Sequence, residues 1–492
     1  MKKLAPASMA LILTFLMVSC PQDEPGDVSG NFWAQNFSTE AFYQIDAIRL
    51  AEGQKCLIWA EKSAGVSTET AEQIAREYDN NIYGKMMNVF GVQRNFTNEG
   101  VVVAHDTLEL ADWLGDGDGK LAILLLDIKD GYTSGGGYVA GYFWAGNFLQ
   151  IEHSNQIDMM YVDIKPGIPG SPSSNKTFAH ELEHLMNFAT TVAFRTTLMD
   201  TWIDEGLATA AEYVYLAPNH NEDRINFFNI DRGDFIAKGN NFFVWGNHED
   251  ANSYAALGDY ATAYLFFQWL RLQSSNGTGI YKEIISSTYP DYRAVTDAAR
   301  TKMSETNYTN NPAGWGLLLG DWMAANYIKS TSGRYGYKND SVIGSSLNTR
   351  YISGGTTIPL YPGEGVYSKS NDSSALPAAS GNIKYAGLSS TGVSNSNHFS
   401  DGRRLTYNVN TNTTGAAANG QLTGVAASMA SISGIAQAES FDPAVGSISR
   451  SAARPSGPFA IDARDMLRRK GHEGWGNVNF GSLPMVETDA AE

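Results

Sequence analysis

The chain has 492 residues, with 35 Lys and Arg against 52 Asp and Glu, which gives a formal net charge of −17 at pH 7. With 43% hydrophobic and 18% charged residues, it has the composition of a globular protein and the length for more than one ordinary domain. The acidic balance argues against nucleic acid as a partner and against electrostatic docking on anionic lipid. Two cysteines cannot form a disulfide framework.

The N-terminus has the features of an export signal. Two lysines precede an apolar run at residues 9–18, which is too short to span a bilayer. Residues 16–20 (LMVSC) resemble a bacterial lipobox, with methionine where leucine is usual. We therefore predict a signal peptide at 1–19 and a lipid on Cys20, the one attachment to a membrane. The alternative is an ordinary secretory signal cut nearby. The expected location is the cell envelope, at the outer membrane or cell surface, or otherwise the medium.

The segment after Cys20 is polar, and residues 20–40 are predicted to be a tether. Beyond it, local patterns predict strands and short helices up to residue 171. The clearest are strands at 55–60 and 101–105, a helix from an N-cap at Ser67 to about Val89, and a strand at 120–128, whose continuous apolar run suits burial on both faces. Cys56 is predicted to be a buried structural thiol.

Two glycine-rich segments flank the apolar run. Residues 115–119 (GDGDG) are predicted to form a plain turn. A calcium loop is the weaker alternative, because Lys120 stands where an EF-hand needs a further oxygen ligand. Residues 135–147 (GGGYVAGYFWAGN) are predicted to form a strand with close backbone approaches.

The hydrophobic period changes from 2 to 3.6 at about residue 172 and predicts a helical part up to 330. Residues 331–410 are predicted to form a small β domain, and 411–492 a low-complexity, partly disordered tail. The predicted helices are 174–190, 200–217, 258–273, 293–304 and 313–328, and the later strand candidates are 365–368, 383–388 and 405–409.

Residues 180–184 read HELEH, within the first of these helices. His180 and His184 are four residues apart and therefore lie on one face, where two imidazoles can share a zinc ion. Glu181 falls beside that ion without binding it. The alternative is a solvated helix face that carries charges.

The next helix carries residues 202–208, WIDEGLA. As a third ligand beside the two histidines, Glu205 can complete a set of three protein ligands, which leaves the fourth position of the zinc ion open for water. Glu212, seven residues on, is the rival third ligand, and we expect it instead to be a supporting acid, with Asp204 a weaker candidate for that role. Gly206 is expected to let the two helices approach closely.

Together these motifs look like the gluzincin metallopeptidases. Residues 179–188, 115–128 and 137–147 are similar to the hyicolysin family of neutral metalloproteases. The resemblance implies one catalytic zinc ion held by His180, His184 and Glu205, with Glu181 as general base.

The resemblance also implies an α+β fold with a thermolysin-like core, in which a mixed sheet and the active-site helix precede a helical lobe. Residues 41–171 and 172–330 would be the two parts of this catalytic domain. An edge strand above the zinc helix would pair with the substrate backbone, and residues 138–147 are the candidate. Tyr260 stands at a place similar to the tyrosine of aminopeptidase-like gluzincins and is the candidate oxyanion donor, with Tyr254 next.

The function expected from the sequence is therefore a zinc endopeptidase with protein or peptide substrates. The first alternative is a gluzincin aminopeptidase, but the G-x-M-E-N strand of that group is missing, and residues 142–147 (YFWAGN) offer no carboxylate. The second is a non-enzymatic surface adhesin on a protease-like scaffold, although all three ligands and the base are present. The sequence leaves the oligomeric state open.

Overall fold

The computed structural model describes residues 28–421 with internal gaps, and three two-residue strands beyond them. The gaps are 99, 133–137, 150, 196, 231–241, 246–252, 339, 350, 353–356, 370–375, 398, 400–401 and 413–417, and the later strands are at 460–461, 480–481 and 490–491. The described chain combines a mixed sheet with several helices, so the α+β class expected from the sequence is confirmed at that level.

A six-stranded mixed sheet organises the N-terminal part. Its members are β1 (Ser29–Asn36), β2 (Ala41–Glu52), β3 (Cys56–Glu61), β6 (Leu121–Leu126), β8 (Gly141–Phe143) and β9 (Met159–Asp163). The spatial order is β1-β2-β3-β6-β9-β8, in which β3, β6 and β9 are parallel and the outer strands antiparallel to their neighbours. The remaining strands of this part are the hairpin β4 (Gln93–Asn98) and β5 (Val101–Asp106), and the short β7 (Tyr138–Val139).

The strand predicted from the apolar run is β6, and all six of its residues are buried. Leu121, Ile123 and Leu125 belong to the large core under the helices. The alternate residues Ala122, Leu124 and Leu126 belong to a smaller core on the other face. Because successive side chains of a strand point to opposite faces, burial on both sides is the reason for the continuous apolar sequence.

The helices occur mainly where the 3.6-residue period predicts them. They are α1 (Thr68–Glu77), α2 (Tyr83–Val89), α3 (Thr107–Leu114), α4 (Pro172–Phe194), α5 (Thr201–Leu216), α6 (Glu222–Ile230), α7 (Ser253–Gln273), α8 (Gly279–Ile285), α9 (Tyr292–Lys302), α10 (Pro312–Ile328) and α11 (Ser341–Ser346). A π-helical turn, Tyr78–Ile82, joins α1 to α2, and the Ser67 side chain accepts a hydrogen bond from Thr70 N as the predicted N-cap. The sequence patterns do not specify α3, α6, α8 and α11, since so few turns give a weak periodic signal.

Helix α4 follows β9 and crosses the sheet beside β8 and β9. Ser171 caps its first turn through Ser174 N, and Pro172 occupies the first helical position, where a missing N–H costs nothing. Its apolar stripe is fully buried in the large core, and it consists of Phe178, Leu182, Leu185 and Ala189. Burial of this stripe fixes the rotation of the helix, and α5 then packs along it.

The part after α11 is β-rich, as the sequence predicts. A five-stranded sheet has the order β10-β12-β15-β13-β14, and two of its strands pack on α10. Its strands are β10 (Tyr351–Ile352), β12 (Gly365–Lys369), β13 (Ile383–Ser389), β14 (Gly392–Ser394) and β15 (Arg403–Asn408). Two-stranded pairings join β11 (Thr357–Leu360) to β16 (Ala418–Gln421), β17 (Ala460–Ile461) to β18 (Phe480–Gly481), and β19 (Ala490–Ala491) to β7. The other residues of the predicted tail lie outside the described chain.

Two expectations need correction. The predicted tether, 20–40, contains β1, which pairs with β2 over its whole length, because the ladder rather than local composition stabilises this strand. The predicted strand at 138–147 is interrupted into β7, β8 and a 3₁₀ turn, Ala145–Phe148. The domain boundaries themselves stay predictions.

The predicted signal peptide and Cys20 lie outside the described residues. Within the part that the structure describes, no helix is both long enough and apolar enough to cross a membrane.

Candidate metal centre

The helices α4 and α5 bring His180, His184 and Glu205 together. Glu205 Oε2 lies 3.4 Å from His180 Nε2 and 3.5 Å from His184 Nε2, and the two imidazole rings are 4.8 Å apart. All three side chains are buried. The three residues predicted as ligands thus point one atom each at a common centre between the two helices.

The spacing of these atoms fits a metal ion better than direct hydrogen bonds. Contacts of 3.4 and 3.5 Å exceed the usual length of an N–H···O bond. Two ligands that are each about 2.0–2.1 Å from a tetrahedral zinc ion stand about 3.4 Å apart. Both Glu205 oxygens and His184 Nε2 are buried without a hydrogen bond within the described chain. The cluster is therefore able to hold a zinc ion.

The far side of His180 is held by a network around Glu212. Glu212 Oε1 lies 3.0 Å from His180 Nδ1 and accepts from Arg224 Nη2 at 2.8 Å, while Oε2 accepts from Asn221 Nδ2 at 2.6 Å. Burial alone would raise the pKa of Glu212, but the Arg224 charge and the contact with His180 hold it well below its usual range. An ionised Glu212 fixes the imidazole so that Nε2 points at Glu205.

His184 has an equivalent support. Its Nδ1 lies 3.2 Å from Asp204 Oδ2, and Asp204 Oδ1 accepts a hydrogen bond of 2.6 Å from Asn187 Nδ2. Asn187 in turn accepts from the buried Arg195. Both histidines therefore face a carboxylate on the Nδ1 side, an arrangement that orients metal-binding imidazoles. Sequence spacing suggested Glu212 and Asp204 for this role, but Asn221, Arg224, Asn187 and Arg195 had no recognisable pattern.

A further acid, Glu183, lies beside His184 and Asp204. It is completely buried, and neither of its oxygens makes a hydrogen bond within the described residues. Burial raises the pKa of Glu183 well above its usual value, and the charge of Asp204 raises it further. The nearby His184 and His180 act in the opposite direction. Apart from its place inside HELEH, no sequence pattern indicated this acid.

Glu181 is fully buried on α4, next to the edge strand β8. A Cβ atom on Gly141 of β8 would lie 2.7 Å from Thr177 Cγ2 and 3.3 Å from Glu181 Cγ. Glycine is thus the residue that lets the strand lie directly against the helix at the predicted base. Within the range 138–147 predicted for a strand above this helix, β8 lies against α4 but is only three residues long.

Of the two tyrosine candidates for the oxyanion donor, Tyr260 lies close to His180. The Tyr260 ring is buried on α7, 6.2 Å from the His180 ring and below the Arg224 guanidinium. The side chain of Tyr254 lies outside the described residues. A Cβ atom on Gly206 would lie 2.3 Å from the Phe267 ring, so this glycine admits α7 beside α5. Its predicted role in the approach of α4 and α5 stays a prediction.

A mixed α+β core with a buried His-His-Glu cluster is consistent with a metalloprotease core. In agreement, the chain is 28% identical over 277 residues to the neutral metalloprotease ShpI of Staphylococcus hyicus. The similarity covers 54% of this chain, and the chain spans 57% of the length of that relative. No family model matches the chain. The similarity supports a metalloprotease relationship and leaves the details of activity to be inferred.

Proposed function

We propose that the protein is a zinc endopeptidase in which His180, His184 and Glu205 hold the metal ion. The observation that carries this proposal is the pair of 3.4 and 3.5 Å contacts from Glu205 Oε2 to the two imidazole nitrogens, the spacing of ligands around one zinc ion. The similarity to a neutral metalloprotease supports the same reading. Protein or peptide chains are the proposed substrates.

Zinc in this position supplies a water molecule acidic enough to lose a proton near neutral pH. Glu181 is the proposed general base that accepts this proton as the water attacks the peptide carbonyl. The same carboxyl group then gives the proton to the departing amine. Its place on the helix, one residue after a proposed ligand and facing β8, suits a group that touches both water and substrate.

Tyr260 is the proposed donor of a hydrogen bond to the oxyanion that develops from the carbonyl oxygen. Its support is positional: the ring is buried beside His180, on a helix that packs against α5. The outer edge of β8 is proposed to pair with the substrate backbone, because an edge strand offers N–H and C=O groups to an extended peptide.

Endopeptidase activity is proposed over aminopeptidase activity because the strand region lacks a carboxylate that could hold a free amino group. Residues 142–147 contain no Asp or Glu. A quenched peptide with a blocked N-terminus separates the two activities, since an aminopeptidase cannot cleave it. Cleavage of the blocked peptide supports the proposal, and cleavage restricted to the unblocked peptide favours the aminopeptidase.

The proposal as a whole is tested with the purified protein by metal analysis and casein cleavage on the same sample. We expect close to one zinc ion per chain, loss of cleavage with a zinc chelator, and recovery with added zinc. Zinc binding without any cleavage would favour a binding protein, such as an adhesin, on the same scaffold.

Export and lipidation of Cys20 are proposed with this activity. The basic start, the apolar run at 9–18 and the LMVSC segment support them.

A further inference from the structure

Three aspartates meet where α3 ends and the turn toward β6 begins, in the N-terminal half of the molecule. Asp112, Asp116 and Asp118 each have a carboxylate oxygen within 4.8 Å of the other two. Their Oδ1 atoms accept backbone hydrogen bonds from Gly119, Asp118 and Lys120 respectively, which hold the three carboxylates beside one another. Like charges at this separation repel, so the arrangement costs free energy unless a cation compensates it.

A fourth aspartate approaches the same group from the sheet side. Asp158 directly precedes β9 and is 4% exposed, and its Oδ1 atom has no hydrogen-bond partner in the described chain. A Cβ atom on Gly115 would lie 2.8 Å from this Oδ1, which places the carboxyl group against the residue before Asp116. Burial raises the pKa of Asp158 well above its usual value, and the charges of Asp116, Asp112 and Asp118 raise it further. The buried, unpartnered Oδ1 thus lies against Gly115, inside the turn that carries Asp116 and Asp118.

Lys120 does not neutralise the cluster through its described contacts. Its ammonium group pairs with Glu52 and donates to the Gly53 carbonyl oxygen at 2.9 Å. Lys120 occupies the position where an EF-hand needs a further oxygen ligand. In the structure Asp158, which is distant in sequence, supplies the additional acid, and no local pattern could have indicated it.

We propose that Asp112, Asp116, Asp118 and Asp158 form a calcium site that fastens the turn between α3 and β6 to the start of β9. Calcium prefers six to eight hard oxygen ligands in flexible geometry, which backbone carbonyls and water can complete here. Magnesium is a poorer fit, because it demands near-ideal octahedral geometry and loses its water reluctantly. The group lacks nitrogen and sulfur ligands, which separates it from the zinc centre.

The experiment is a calcium titration of the full-length, zinc-loaded protein by calorimetry, with thermal unfolding on the same samples. We expect saturable binding with Kd on the order of 10⁻⁴–10⁻³ M, the range of extracellular calcium modules. About 5 mM calcium should raise Tm by roughly 2–6 °C, because the ion binds the folded state only. The same concentration of magnesium should raise it much less.

The decisive variant is Asp116→Asn with Asp118→Asn, at two exposed positions where the amide keeps an oxygen to accept the backbone hydrogen bond. Calcium affinity should fall at least tenfold. Glu69→Gln with Glu72→Gln removes the same charge from exposed positions on α1 and is the matched control, which should keep the wild-type Kd. Absence of saturable binding in the wild type, or equal affinities in the two double variants, overturns the proposal.

Asp158→Asn adds a second signature. Without calcium this variant should unfold at the wild-type temperature or above it, because a buried acid among like charges has been removed. With calcium it should lose most of the upward shift in Tm. If Asp158 had only a structural role, its replacement by Asn would lower Tm equally with and without calcium. That result would remove Asp158 from the proposed site.

Discussion

Glu205 and Glu212 lie seven residues apart on α5 and face different nitrogens of His180. Glu205 approaches Nε2, where it also meets His184, whereas Glu212 contacts Nδ1 and is held by Arg224. Sequence spacing brings both acids to one helix face and predicts their competition for the metal. The partners of Glu212 come from α6 and the loop before it, so the choice between the two acids depends on contacts that are not local.

This difference predicts opposite outcomes for two isosteric substitutions. Glu205→Gln should lose most of the bound zinc, because an anionic ligand is removed. Glu212→Gln keeps an acceptor for His180 and should retain zinc, with affinity lowered about 10–100-fold through looser orientation of the imidazole. Zinc affinity is measured by competition with a chromogenic chelator. Normal zinc affinity in Glu205→Gln together with metal loss in Glu212→Gln would assign the third ligand to Glu212.

At the scale of elements, α4, α5 and β6 follow from their own sequences, because periodicity of 3.6 residues or a continuous apolar run specifies each of them. The strands β1 and β8 do not. Residues 29–36 follow a polar stretch and become a strand only through pairing with β2, and β8 ends after three residues at a 3₁₀ turn. Long-range ladders and turns therefore account for the differences between predicted and observed elements.

The contact between β8 and α4 gives a prediction at this scale. Gly141→Ala places a methyl group 2.7 Å from Thr177 Cγ2 and 2.9 Å from the Tyr161 carbonyl oxygen, so the strand must move away from Glu181. Overpacking of this kind costs about 1–3 kcal/mol. We expect a lower Tm and a lower kcat with normal zinc content.

The matched control for this substitution is Gly84→Ala on α2, where the new methyl group has no atom of the described residues within 4 Å apart from its chain neighbours and the backbone of its own helix. Alanine favours a helix over glycine by about 1 kcal/mol, so Tm should stay or rise. Equal effects of the two substitutions on Tm and kcat would show that close contact at Gly141 is unimportant.

At the scale of the whole molecule, the N-terminal sheet presents an edge strand to α4, and the helices that follow carry the proposed third ligand and its supports. Both halves must be folded together for the centre to form, because α4 packs on the sheet while α5 packs on α7. The β-rich region after α11 packs on α10, which lies near the C-terminal end of the helical part of the chain.

The proposed attachment of the molecule to a membrane depends on Cys20. One acyl chain holds a membrane only marginally, whereas two hold it firmly. Cys20→Ala should abolish incorporation of labelled fatty acid and release the protein from the envelope fraction. Cys56→Ala is the control, because that thiol is buried in the core. Equal labelling of wild type and Cys20→Ala would contradict the lipid anchor without affecting the proposed chemistry.

The central claim is tested most directly by Glu181→Gln, assayed for turnover of a blocked quenched peptide and for zinc on the same samples. The amide keeps the shape of the side chain but cannot accept a proton from water, and loss of a general base typically costs about 10²–10⁴-fold in rate. We predict near-stoichiometric zinc, an unchanged Tm and turnover lowered by that factor. The exposed Glu152→Gln is the control and should match the wild type. Wild-type turnover in zinc-loaded Glu181→Gln would contradict the proposed mechanism.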